Sequence, residues 1–450
     1  MRVLAIDLGA TSIRVAALEL EAPRPALQLL HRWQHGPVRQ SDGSLRWDWP
    51  RILSEVQRGI QAGLEAGPVA SIGVDGWGCD YGLLDRQGRL LEMPYSYRDA
   101  RTADWRSIAE RIGVDRLYGI CGIQLMASNT IFQVAAHDRD QLRKASKLLL
   151  LPDLLVKDLT GFEGAELSNA STTALLDGRA GTWAAEIVEE VGLTKGMLPE
   201  VIPAGSTIGS WHGIPVNSVG SHDTASAFVA VPGIPSARTA IVSSGTWVLV
   251  GAERPAADMS ERSRVANFSN ERAAMHGIRF LKNVTGFWML ERCRTRWGNP
   301  PIMDLIDAAA EVTLPVPLVD VMDPRFFAPV DMEMEIRTAA GLDADTNRAE
   351  IVRSILESIA AAAARVIREL GSILGTPIEE LFVVGGGSRI RLMNDLLCRQ
   401  TGLRVTVGSS EASALGNALV QGIALGRFRN LDEARRWAAL GVSQPKPASR

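Results

Sequence analysis

The sequence predicts an α/β protein, because short buried strands alternate with helical segments along most of its length. Two segments, Val3–Ile6 and Thr239–Ser243, have the apolar pattern of buried strands, and each leads through a small-residue turn into a second apolar strand. The strand, turn and strand therefore recur once in each half of the chain, which indicates two related domains. We expect them to cover residues 1–226 and 227–450, the second ending in a short frayed tail from about residue 442.

In the first half, the turn Asp7–Ser12 separates the two predicted strands. A helix is predicted to start at Asp48, since Asp is a favoured N-cap and a proline follows two residues later. The segment Ser71–Asp75 has the pattern of a buried strand, and Tyr81–Leu91 has that of a hairpin that turns near Gly88. These elements carry the α/β prediction for this half.

In the second half, Ala349–Leu374 is predicted to be one long alanine-rich helix with a packing role. A strand at Leu381–Val384 runs into three glycines, and a helix at Arg389–Thr401 follows them. A strand at Val405–Val407 and a helix at Ala412–Leu425, with small residues on one side, complete the pattern. Helices and strands thus alternate here as well.

Composition excludes several classes of function. The 450 residues carry 48 basic and 51 acidic side chains, so the net charge of −3 leaves no basic face for general nucleic-acid binding. No apolar run approaches the roughly 20 residues of a membrane helix. The four cysteines are far apart and form no CxxC pair, which argues against a zinc site or a disulfide framework. We expect a cytoplasmic protein that binds neither nucleic acid nor membranes, while its oligomeric state stays open.

The first turn is a candidate phosphate site. Asp7 stands at a strand end, directly before a turn of glycine, alanine, threonine and serine. Exposed turn amides and hydroxyls can bind phosphate oxygens, and a carboxylate can hold hydrated Mg²⁺. An ordinary hairpin turn is the alternative interpretation.

A second candidate is the segment Gly220–Ala225. Asp223 lies before an apolar helical run, so it is either an N-cap or a general base close to a docking anion. His222, taken alone, is interpreted as a structural hydrogen-bonding residue. The residues by themselves leave both interpretations of Asp223 open.

The glycines Gly385–Gly387 end a strand and precede a helix, which favours close approach of a nucleotide to the backbone. A dinucleotide fingerprint would need a third glycine where Ile390 stands, and no Gly-Lys-Ser/Thr sequence occurs, so neither a Rossmann dehydrogenase nor a P-loop is indicated. The segments Asp75–Asp80, which contains Trp77, and Tyr97–Arg101 combine aromatic, glycine and charged residues typical of a polyol pocket. Surface loops with a structural salt bridge are the alternative for both.

Five short blocks, in this order and spacing, resemble the FGGY family of carbohydrate kinases: Asp7–Thr11, Gly220–Ala225, Ser243–Trp247, Gly385–Gly387 and Glu411–Asn417. The likeness covers about residues 2–425 in outline. Within the family it is greatest to the members that phosphorylate L-rhamnulose, which is carried further by the blocks Ser71–Tyr81, Tyr97–Thr102 and Lys282–Leu290.

The resemblance implies an α/β fold of two actin-like (ribonuclease H-like) domains that flank a central ATP and sugar cleft and close on binding. It implies a kinase that uses ATP and Mg²⁺ to phosphorylate a ketose, with Asp223 as general base and Asp7 organising Mg²⁺. The sugar-binding positions implied by the block matches, with Trp77 added from its segment, are Trp77, Gly78, His222, Asp223, Thr224 and Asn283. The nucleotide-binding positions are Ala10, Thr11, Ser12, Ile13, Arg14, Thr246, Glu291 and Gly386.

Three departures from the family pattern concern the nucleotide. Ile13 stands where a glycine is usual, Glu291 replaces a glutamine, and Arg389 with Ile390 differs after the glycines. Ile13 and Glu291 motivate one alternative, a non-catalytic sugar or nucleotide sensor; an actin-like ATPase or polymer subunit is another. L-Fuculose, L-ribulose and L-xylulose remain alternative substrates to L-rhamnulose.

Overall fold

The computed structural model describes residues 1–343 and 345–441, so the tail expected from about residue 442 lies outside the described residues. The chain forms two compact units, neither of which is one continuous segment. The first unit contains Met1–Ile234, Glu253–Leu281 and the described chain from Glu411 onwards. The second unit contains Pro235–Ala252 and Lys282–Ser410.

The strands predicted at Val3–Ile6, Ser71–Asp75, Thr239–Ser243, Leu381–Val384 and Val405–Val407 each lie within an observed strand. The strands are β1 (Arg2–Leu8), β2 (Ser12–Glu19), β3 (Leu27–Gln34), β4 (Val38–Arg39), β5 (Leu45–Arg46), β6 (Ser71–Gly76), β7 (Tyr81–Leu84), β8 (Lys147–Leu150), β9 (Gly164–Glu166), β10 (Glu200–Ile202), β11 (Thr207–Trp211), β12 (Ile214–Asn217), β13 (Thr239–Ser244), β14 (Trp247–Arg254), β15 (Ser269–Arg272), β16 (Ile278–Thr285), β17 (Glu380–Val384) and β18 (Arg404–Val407).

The helices are α1 (Trp49–Glu65), α2 (Trp105–Ile112), α3 (Val114–Cys121), α4 (Thr130–Ala135), α5 (Arg139–Lys144), α6 (Leu151–Thr160), α7 (Leu167–Ala170), α8 (Ala185–Glu190), α9 (Asp223–Val229), α10 (Glu261–Val265), α11 (Trp288–Arg296), α12 (Ile302–Ala310), α13 (Met332–Ala340), α14 (Arg348–Leu374), α15 (Arg391–Thr401), α16 (Ala412–Ala424) and α17 (Leu431–Ala439). Among the described helices, none is both long enough and apolar enough to cross a membrane. The four cysteines are free thiols.

The main sheet of the first unit has the strand order β11-β12-β6-β1-β2-β3. Strand β1 pairs antiparallel with β2 and parallel with β6, and both β1 and β6 are almost entirely buried. Strands covered on both faces read as continuous apolar runs, which explains why both are recognisable from the sequence. The register places Asp7 opposite Arg14 on one side and opposite Asp75 on the other.

The second unit repeats this local arrangement. Strand β13 pairs antiparallel with β14 and parallel with β17, which in turn pairs parallel with β18. The repetition agrees with the strand, turn and strand pattern that occurs twice in the sequence. Helix α14 is buried along much of its length in this unit, as expected for a packing helix.

Helix α16 packs against α9 and against strands β1 and β6 in the first unit. The two helices approach backbone to backbone at Gly416, where an added Cβ would lie 1.7 Å from the carbonyl oxygen of Ser226. Gln421 on the same helix donates to the carbonyl of Leu4 and accepts from the hydroxyl of Ser71. The small residues of α16 are therefore required for this close helix packing.

Several local predictions are confirmed, one is confirmed only in part, and two are wrong. Asp48 caps α1 by accepting a hydrogen bond from the amide of Arg51. The hairpin predicted at Tyr81–Leu91 is confirmed only in part: the amide of Leu91 donates to the carbonyl of Leu83 and that of Asp85 to the carbonyl of Arg89, but the strand that pairs with β7 along its length is β8, more than 60 residues away.

The other two corrections concern helix starts. His222 occupies the N-cap of α9 and Asp223 is its first residue, so the N-cap interpretation of Asp223 is wrong. The helix predicted from Arg389 begins at Arg391, because Gly386–Arg389 form a short 3-10 turn after the glycines. In both places a local cap pattern could not reveal the path of the preceding loop.

Candidate active site

Asp7 lies at the end of β1 with its side chain only 1% exposed. Its Oδ2 accepts a hydrogen bond from Nη1 of Arg14 on β2 at 2.7 Å, and Nε of Arg14 lies 3.5 Å from the carboxylate of Glu411. Burial raises the pKa of Asp7 to about 6, despite the opposing charge of Arg14. Arg14 thus interacts with two carboxylates, those of Asp7 and Glu411.

Asp75 lies beside Asp7 at the end of the parallel neighbour β6 and is fully buried. Asn417 donates its amide to Oδ2 of Asp75 at 2.6 Å, while Oδ1 receives no hydrogen bond from the described residues. Burial, with the nearby charge of Asp7 next in importance, raises the pKa of Asp75 well above its ordinary value. Asp7 and Asp75, near the C-terminal ends of β1 and β6, therefore form a buried acidic pair.

The predicted phosphate loop is divided between a turn and a strand. Ala10 and Thr11 lie in the turn and are partly exposed, whereas Ser12, Ile13 and Arg14 belong to β2. Ile13 is fully buried and pairs with strand residues on both sides, so its side chain fills the core. The absence of a glycine at this position is therefore explained by core packing.

His35 supports the turn from the neighbouring strand. Its Nε2 lies 2.8 Å from the carbonyl of Gly9, and its own backbone amide donates to the carbonyl of Thr11 at 3.1 Å. Burial lowers the pKa of His35. A neutral imidazole that donates from Nε2 to a carbonyl holds the turn without adding charge beside a phosphate site.

Asp223 is the most accessible carboxylate of this site, with its side chain 28% exposed. The chain before it is held by β6, because the amide of Gly76 donates to the carbonyl of Ser221 at 2.9 Å. Thr224 donates its hydroxyl to Oδ1 of Asp223 at 3.1 Å, and Nε2 of His222 lies 3.5 Å from the same oxygen. The structure thus brings together the predicted residues His222, Asp223 and Thr224.

Glu166 holds the loop before Asp223 in place through hydrogen bonds, although it was not predicted from the sequence. Its Oε2 accepts hydrogen bonds from the amide of Ser221 at 2.8 Å and from the hydroxyl of Ser168 at 2.5 Å. The hydroxyl of Ser168 in turn accepts from the amide of His222 at 3.4 Å. Burial raises the pKa of Glu166, and these hydrogen bonds oppose the shift.

His222 contacts a buried ion pair that sequence reasoning also missed. Nη2 of Arg279 lies 3.1 Å from Nδ1 of His222 and 3.1 Å from Oε2 of Glu271. Arg279 is fully buried, and Glu271 is 3% exposed. Burial alone would raise the pKa of Glu271, but the charge of Arg279 together with contributions from His222 and Ser269 lowers the pKa. No local motif marks either residue, since both lie about 50 positions beyond His222 on β15 and β16.

The predicted sugar segment after β6 is tightly packed. Asp80 accepts hydrogen bonds from the indole nitrogens of Trp47 at 2.7 Å and Trp77 at 3.0 Å, so Trp77 is largely buried. Gly78 faces Thr172, whose hydroxyl would lie 3.0 Å from an added Cβ. Cys79, with φ of 76°, adopts a backbone conformation that is unusual for a side-chain-bearing residue.

The segment Tyr97–Arg101 makes structural contacts. Asp99 accepts hydrogen bonds from the amides of Leu45 at 2.7 Å and Arg101 at 3.0 Å. The guanidinium of Arg101 donates to Gln133 at 2.6 Å and stacks 3.8 Å from the ring centre of Tyr95. Asp99 and Arg101 are therefore held by contacts within the fold.

In the second unit, the glycine run packs against the turn after β13. Cβ atoms added at Gly385 and Gly387 would lie 2.8 Å from the carbonyl oxygen of Ser244 and 2.2 Å from its hydroxyl, respectively. Gly386, by contrast, is exposed, with no heavy atom within 4 Å of an added Cβ. The central glycine therefore offers open backbone at the position that the family resemblance assigns to a nucleotide.

A third loop joins this arrangement. The amide of Phe287 donates to the carbonyl of Gly245 at 3.1 Å, and that of Trp288 donates to the carbonyl of Thr246 at 3.2 Å. Gly286 is required here, because an added Cβ would lie 2.7 Å from the carbonyl of Gly245. Thr246 and Gly386, which are 140 residues apart in sequence, thus lie on loops that pack around Ser244.

The remaining predicted positions of the second unit are Asn283 on β16 and Glu291 on α11. Glu291 forms a two-pronged ion pair with Arg294, with distances of 2.5 Å and 2.8 Å between oxygen and nitrogen atoms. The charge that replaces the expected glutamine is therefore already balanced within its own helix.

Within residues 1–343 and 345–441, no three His, Cys, Asp or Glu side chains are grouped so that they could hold a metal ion. Mg²⁺ in phosphoryl-transfer enzymes is held by one or two carboxylates together with substrate phosphates and water. A buried carboxylate at a strand end, beside an acidic neighbour with an orphaned oxygen, fits that requirement at Asp7 and Asp75.

Comparison with known proteins identifies the family. The N-terminal domain model of the FGGY family of carbohydrate kinases matches residues 2–228, and the C-terminal domain model matches residues 240–425. The chain is 36% identical to a rhamnulokinase of Klebsiella pneumoniae (strain 342), across 99% of this chain and 95% of the relative. It is 34% identical to a rhamnulokinase of Enterococcus faecalis, across 96% and 91%.

Solved structures support the same fold. A ligand-bound xylulose kinase from Lactobacillus acidophilus superposes with a TM-score of 0.79 at 16% identity, across 97% of this chain and 92% of that one. A glycerol kinase from Plasmodium falciparum with ADP gives a TM-score of 0.77 at 16% identity, with the same coverage of both chains. With both family models matched, the two-domain actin-like fold and the motif blocks have one explanation: the chain belongs to the FGGY family of carbohydrate kinases, and it is a sugar kinase.

Proposed function

We propose that this sugar kinase transfers the γ-phosphoryl group of ATP to O1 of L-rhamnulose, giving L-rhamnulose 1-phosphate and ADP. The observation that carries the proposal is the accessible carboxylate of Asp223, set on a loop that both Gly76 and Glu166 hold in place. The names of relatives at 34% and 36% identity support L-rhamnulose as the substrate. L-Fuculose, L-ribulose and L-xylulose are the alternative substrates.

Asp223 acts as the general base in this reaction. It accepts the proton of O1–H while the new O1–P bond forms and the bond between the γ-phosphorus and the bridging oxygen of ATP breaks, releasing ADP. The transition state of phosphoryl transfer is loose, so the alcohol does not need to lose its proton early. Most of the rate acceleration then comes from positioning and from stabilisation of phosphate charge.

The remaining site residues are assigned to binding. Asp7 would hold Mg²⁺, which when bound supplies neutralisation of phosphate charge. Residues 1–226 contain most of the proposed sugar-binding positions, and residues 227–450 contain Asn283 and part of the proposed nucleotide-binding set. The sugar-binding residues are Trp77, Gly78, His222, Asp223, Thr224 and Asn283. The nucleotide-binding residues are Ala10, Thr11, Ser12, Ile13, Arg14, Thr246, Glu291 and Gly386.

Two structural observations weigh against the sensor alternative. Ile13 is part of the sheet core, and the carboxylate of Glu291 is balanced by Arg294. The two substitutions that motivated a non-catalytic protein therefore have structural explanations that do not require a loss of nucleotide binding. We therefore retain the interpretation of this protein as an active enzyme.

The test is ADP release from MgATP by the purified protein with L-rhamnulose, L-fuculose, L-ribulose, L-xylulose, D-xylulose and glycerol. We expect the highest kcat/KM with L-rhamnulose and a product phosphorylated at O1, as identified by NMR of the product. A clear preference for another ketose would keep the mechanism and change the substrate. ATP binding without ADP formation for every sugar would contradict the proposal and restore the sensor.

A further inference from the structure

The buried ion pair behind His222 determines which imidazole nitrogen carries the proton. Nη2 of Arg279 makes a hydrogen bond of 3.1 Å to Nδ1 of His222. A guanidinium has only donors and stays charged in proteins, so Nδ1 must be the acceptor in this contact. A neutral imidazole that accepts at Nδ1 carries its proton on Nε2.

The opposite tautomer would require Nδ1–H to donate to Glu271. Nδ1 lies 3.4 Å from Oε2 of Glu271, and that oxygen receives no hydrogen bond from any described residue. Nδ1–H would also face the Nη2–H of Arg279 at 3.1 Å, with two donors opposed. The charge on Glu271 instead balances Arg279, whose Nη2 lies 3.1 Å from Oε2.

The proton on Nε2 is directed at one particular oxygen of the proposed base. Nε2 lies 3.5 Å from Oδ1 of Asp223, and the hydroxyl of Thr224 donates to the same Oδ1 at 3.1 Å. Hydrogen bonds of ligand-free active sites are often long and shorten in the substrate complex. Nε2–H of His222 and the hydroxyl of Thr224 therefore both point to Oδ1 of Asp223. This leaves Oδ2 of Asp223 as the oxygen that can accept a proton from a substrate hydroxyl.

We propose that Arg279 is a positioning residue of this kinase: it holds His222 as the Nε2–H tautomer, so that His222 and Thr224 occupy Oδ1 of Asp223 and Oδ2 accepts the substrate proton. This inference rests on the proposed function only in taking Asp223 as the base. Arg279 itself does not contact substrate. It acts through His222, as outer-layer partners that fix the tautomer of metal-bound or catalytic histidines do.

The first test reads the tautomer without substrate. Protein labelled with ¹⁵N-histidine contains six histidines, so the resonance of His222 is assigned by its loss in His222→Gln. Long-range ¹⁵N–¹H couplings then show which nitrogen is protonated. We expect the Nε2–H form in the wild-type protein, and an Nδ1–H form would overturn the proposal whatever sugar the enzyme uses.

The second test removes the pair as a unit. Arg279→Met alone would leave Glu271 charged and unpaired in the interior, so Arg279→Met is combined with Glu271→Met. We expect His222 to populate both tautomers in this double variant and kcat with L-rhamnulose to fall about 10-fold to 100-fold, the usual effect of such orienting partners. KM for ATP should stay unchanged, and Arg279→Lys, which keeps a cationic donor beside Glu271, should recover part of kcat.

The matched control is the ion pair of Arg435 and Glu253 in the first unit, in which Arg435 is buried and Glu253 is partly exposed. Arg435 donates to the carbonyls of Phe228 and Val229 at the opposite end of α9 from Asp223. Arg435→Met with Glu253→Met should lower the unfolding temperature without changing the tautomer of His222.

An equal loss of kcat in both double variants, or an unchanged tautomer and kcat in the Arg279 variant, would overturn the positioning role. Absence of turnover in the wild type would refute the proposed function, and the NMR measurement would still decide the tautomer.

Discussion

The side-chain amide of Asn417 on α16 donates to the buried carboxylate of Asp75 on β6 at 2.6 Å, joining residues 342 positions apart in sequence. Asn417 also accepts a hydrogen bond at 2.8 Å from Gln421 one helical turn later. Gly73 leaves room for this contact, since a Cβ there would lie 2.3 Å from Oδ1 of Asn417. Helix α16 is thereby tied to β6, the strand that ends at the acidic pair.

Replacement of Asn417 should destabilise the protein. In Asn417→Ala, neither oxygen of Asp75 would receive a hydrogen bond, so we expect a loss of about 1–3 kcal/mol in the free energy of unfolding. Urea denaturation monitored by circular dichroism measures it. Gln61→Ala, which removes an exposed amide on α1, is the control and should change stability by less than about 0.5 kcal/mol. Equal stability of the two variants would contradict this role of Asn417.

Asp80 should give the folded state a specific dependence on pH. Burial raises the pKa of Asp80 from 3.8 to about 6, although Trp47, Gln133 and Trp77 donate to it. The folded state therefore holds this proton more tightly than the unfolded chain, so the contribution of Asp80 to stability is greatest below about pH 4 and is lost as the pH rises through about 6. About two pKa units correspond to about 3 kcal/mol.

The measurement is the difference in unfolding free energy between the wild type and Asp80→Asn at several pH values. Because asparagine does not ionise, the variant should lose the decline between pH 4 and pH 6, and the wild type should lose stability relative to it over that range. Parallel curves for the two proteins would show that Asp80 has an ordinary pKa. Asp85→Asn, at an exposed turn where hydrogen bonds from Arg89 and Gln87 lower the pKa, is the control of opposite sign.

Two adjacent glycines should respond differently to the same change. Gly387→Ala places a Cβ 2.2 Å from the hydroxyl of Ser244 and 2.6 Å from the ring of Phe287, so we expect a loss of about 1–3 kcal/mol in stability. Gly386→Ala adds a Cβ in open space and should leave the unfolding temperature nearly unchanged. Thermal unfolding compares the two variants.

The same pair tests the nucleotide assignment. If ATP approaches the backbone at Gly386, Gly386→Ala should raise KM for ATP while KM for the sugar stays the same. An unchanged KM for ATP in the stable Gly386→Ala variant would remove Gly386 from the nucleotide site.

Restoring the residue usual in the family at position 291 should have little effect. Glu291→Gln removes a partly exposed ion pair with Arg294, a contribution of about 0–1 kcal/mol. Because Arg294 already balances the carboxylate, we expect KM for ATP to change by less than about fivefold. A decrease beyond tenfold would show that the charge of Glu291 does weaken nucleotide binding. Arg294→Gln, which leaves Glu291 unpaired, should raise KM for ATP and serves as the complementary variant.

Removal of the proposed base should affect turnover far more than folding. We expect Asp223→Asn to lower kcat by roughly 10²-fold to 10⁴-fold, the range typical of a general base, because the amide cannot accept the proton. The side chain is partly exposed, so the unfolding temperature should stay close to that of the wild type. Near-normal turnover in a correctly folded Asp223→Asn protein would contradict the assignment of Asp223 as the general base.

Much of the fold was predictable from local sequence. Strands β1, β6, β13 and β17 are buried on both faces and appear as short apolar runs, and α14 appears as a helical period with alanine-rich packing faces. The hairpin predicted from Tyr81 forms only its turn, because β7 pairs along its length with β8, more than 60 residues away. An apolar run shows that a strand is buried but does not show which strand lies beside it.

The same limit applies to the site. The sequence by itself determined the chemical groups at each loop, namely Asp7 before its turn, Asp223 after His222 and the glycines around Gly386, because turn and cap chemistry is local. Only the tertiary structure decided that Arg279 and Glu271 meet His222 across about 50 residues. A buried charge leaves no periodic signal in the sequence, and its partner is selected by the folded geometry, in which a charge without a partner would be too costly to bury.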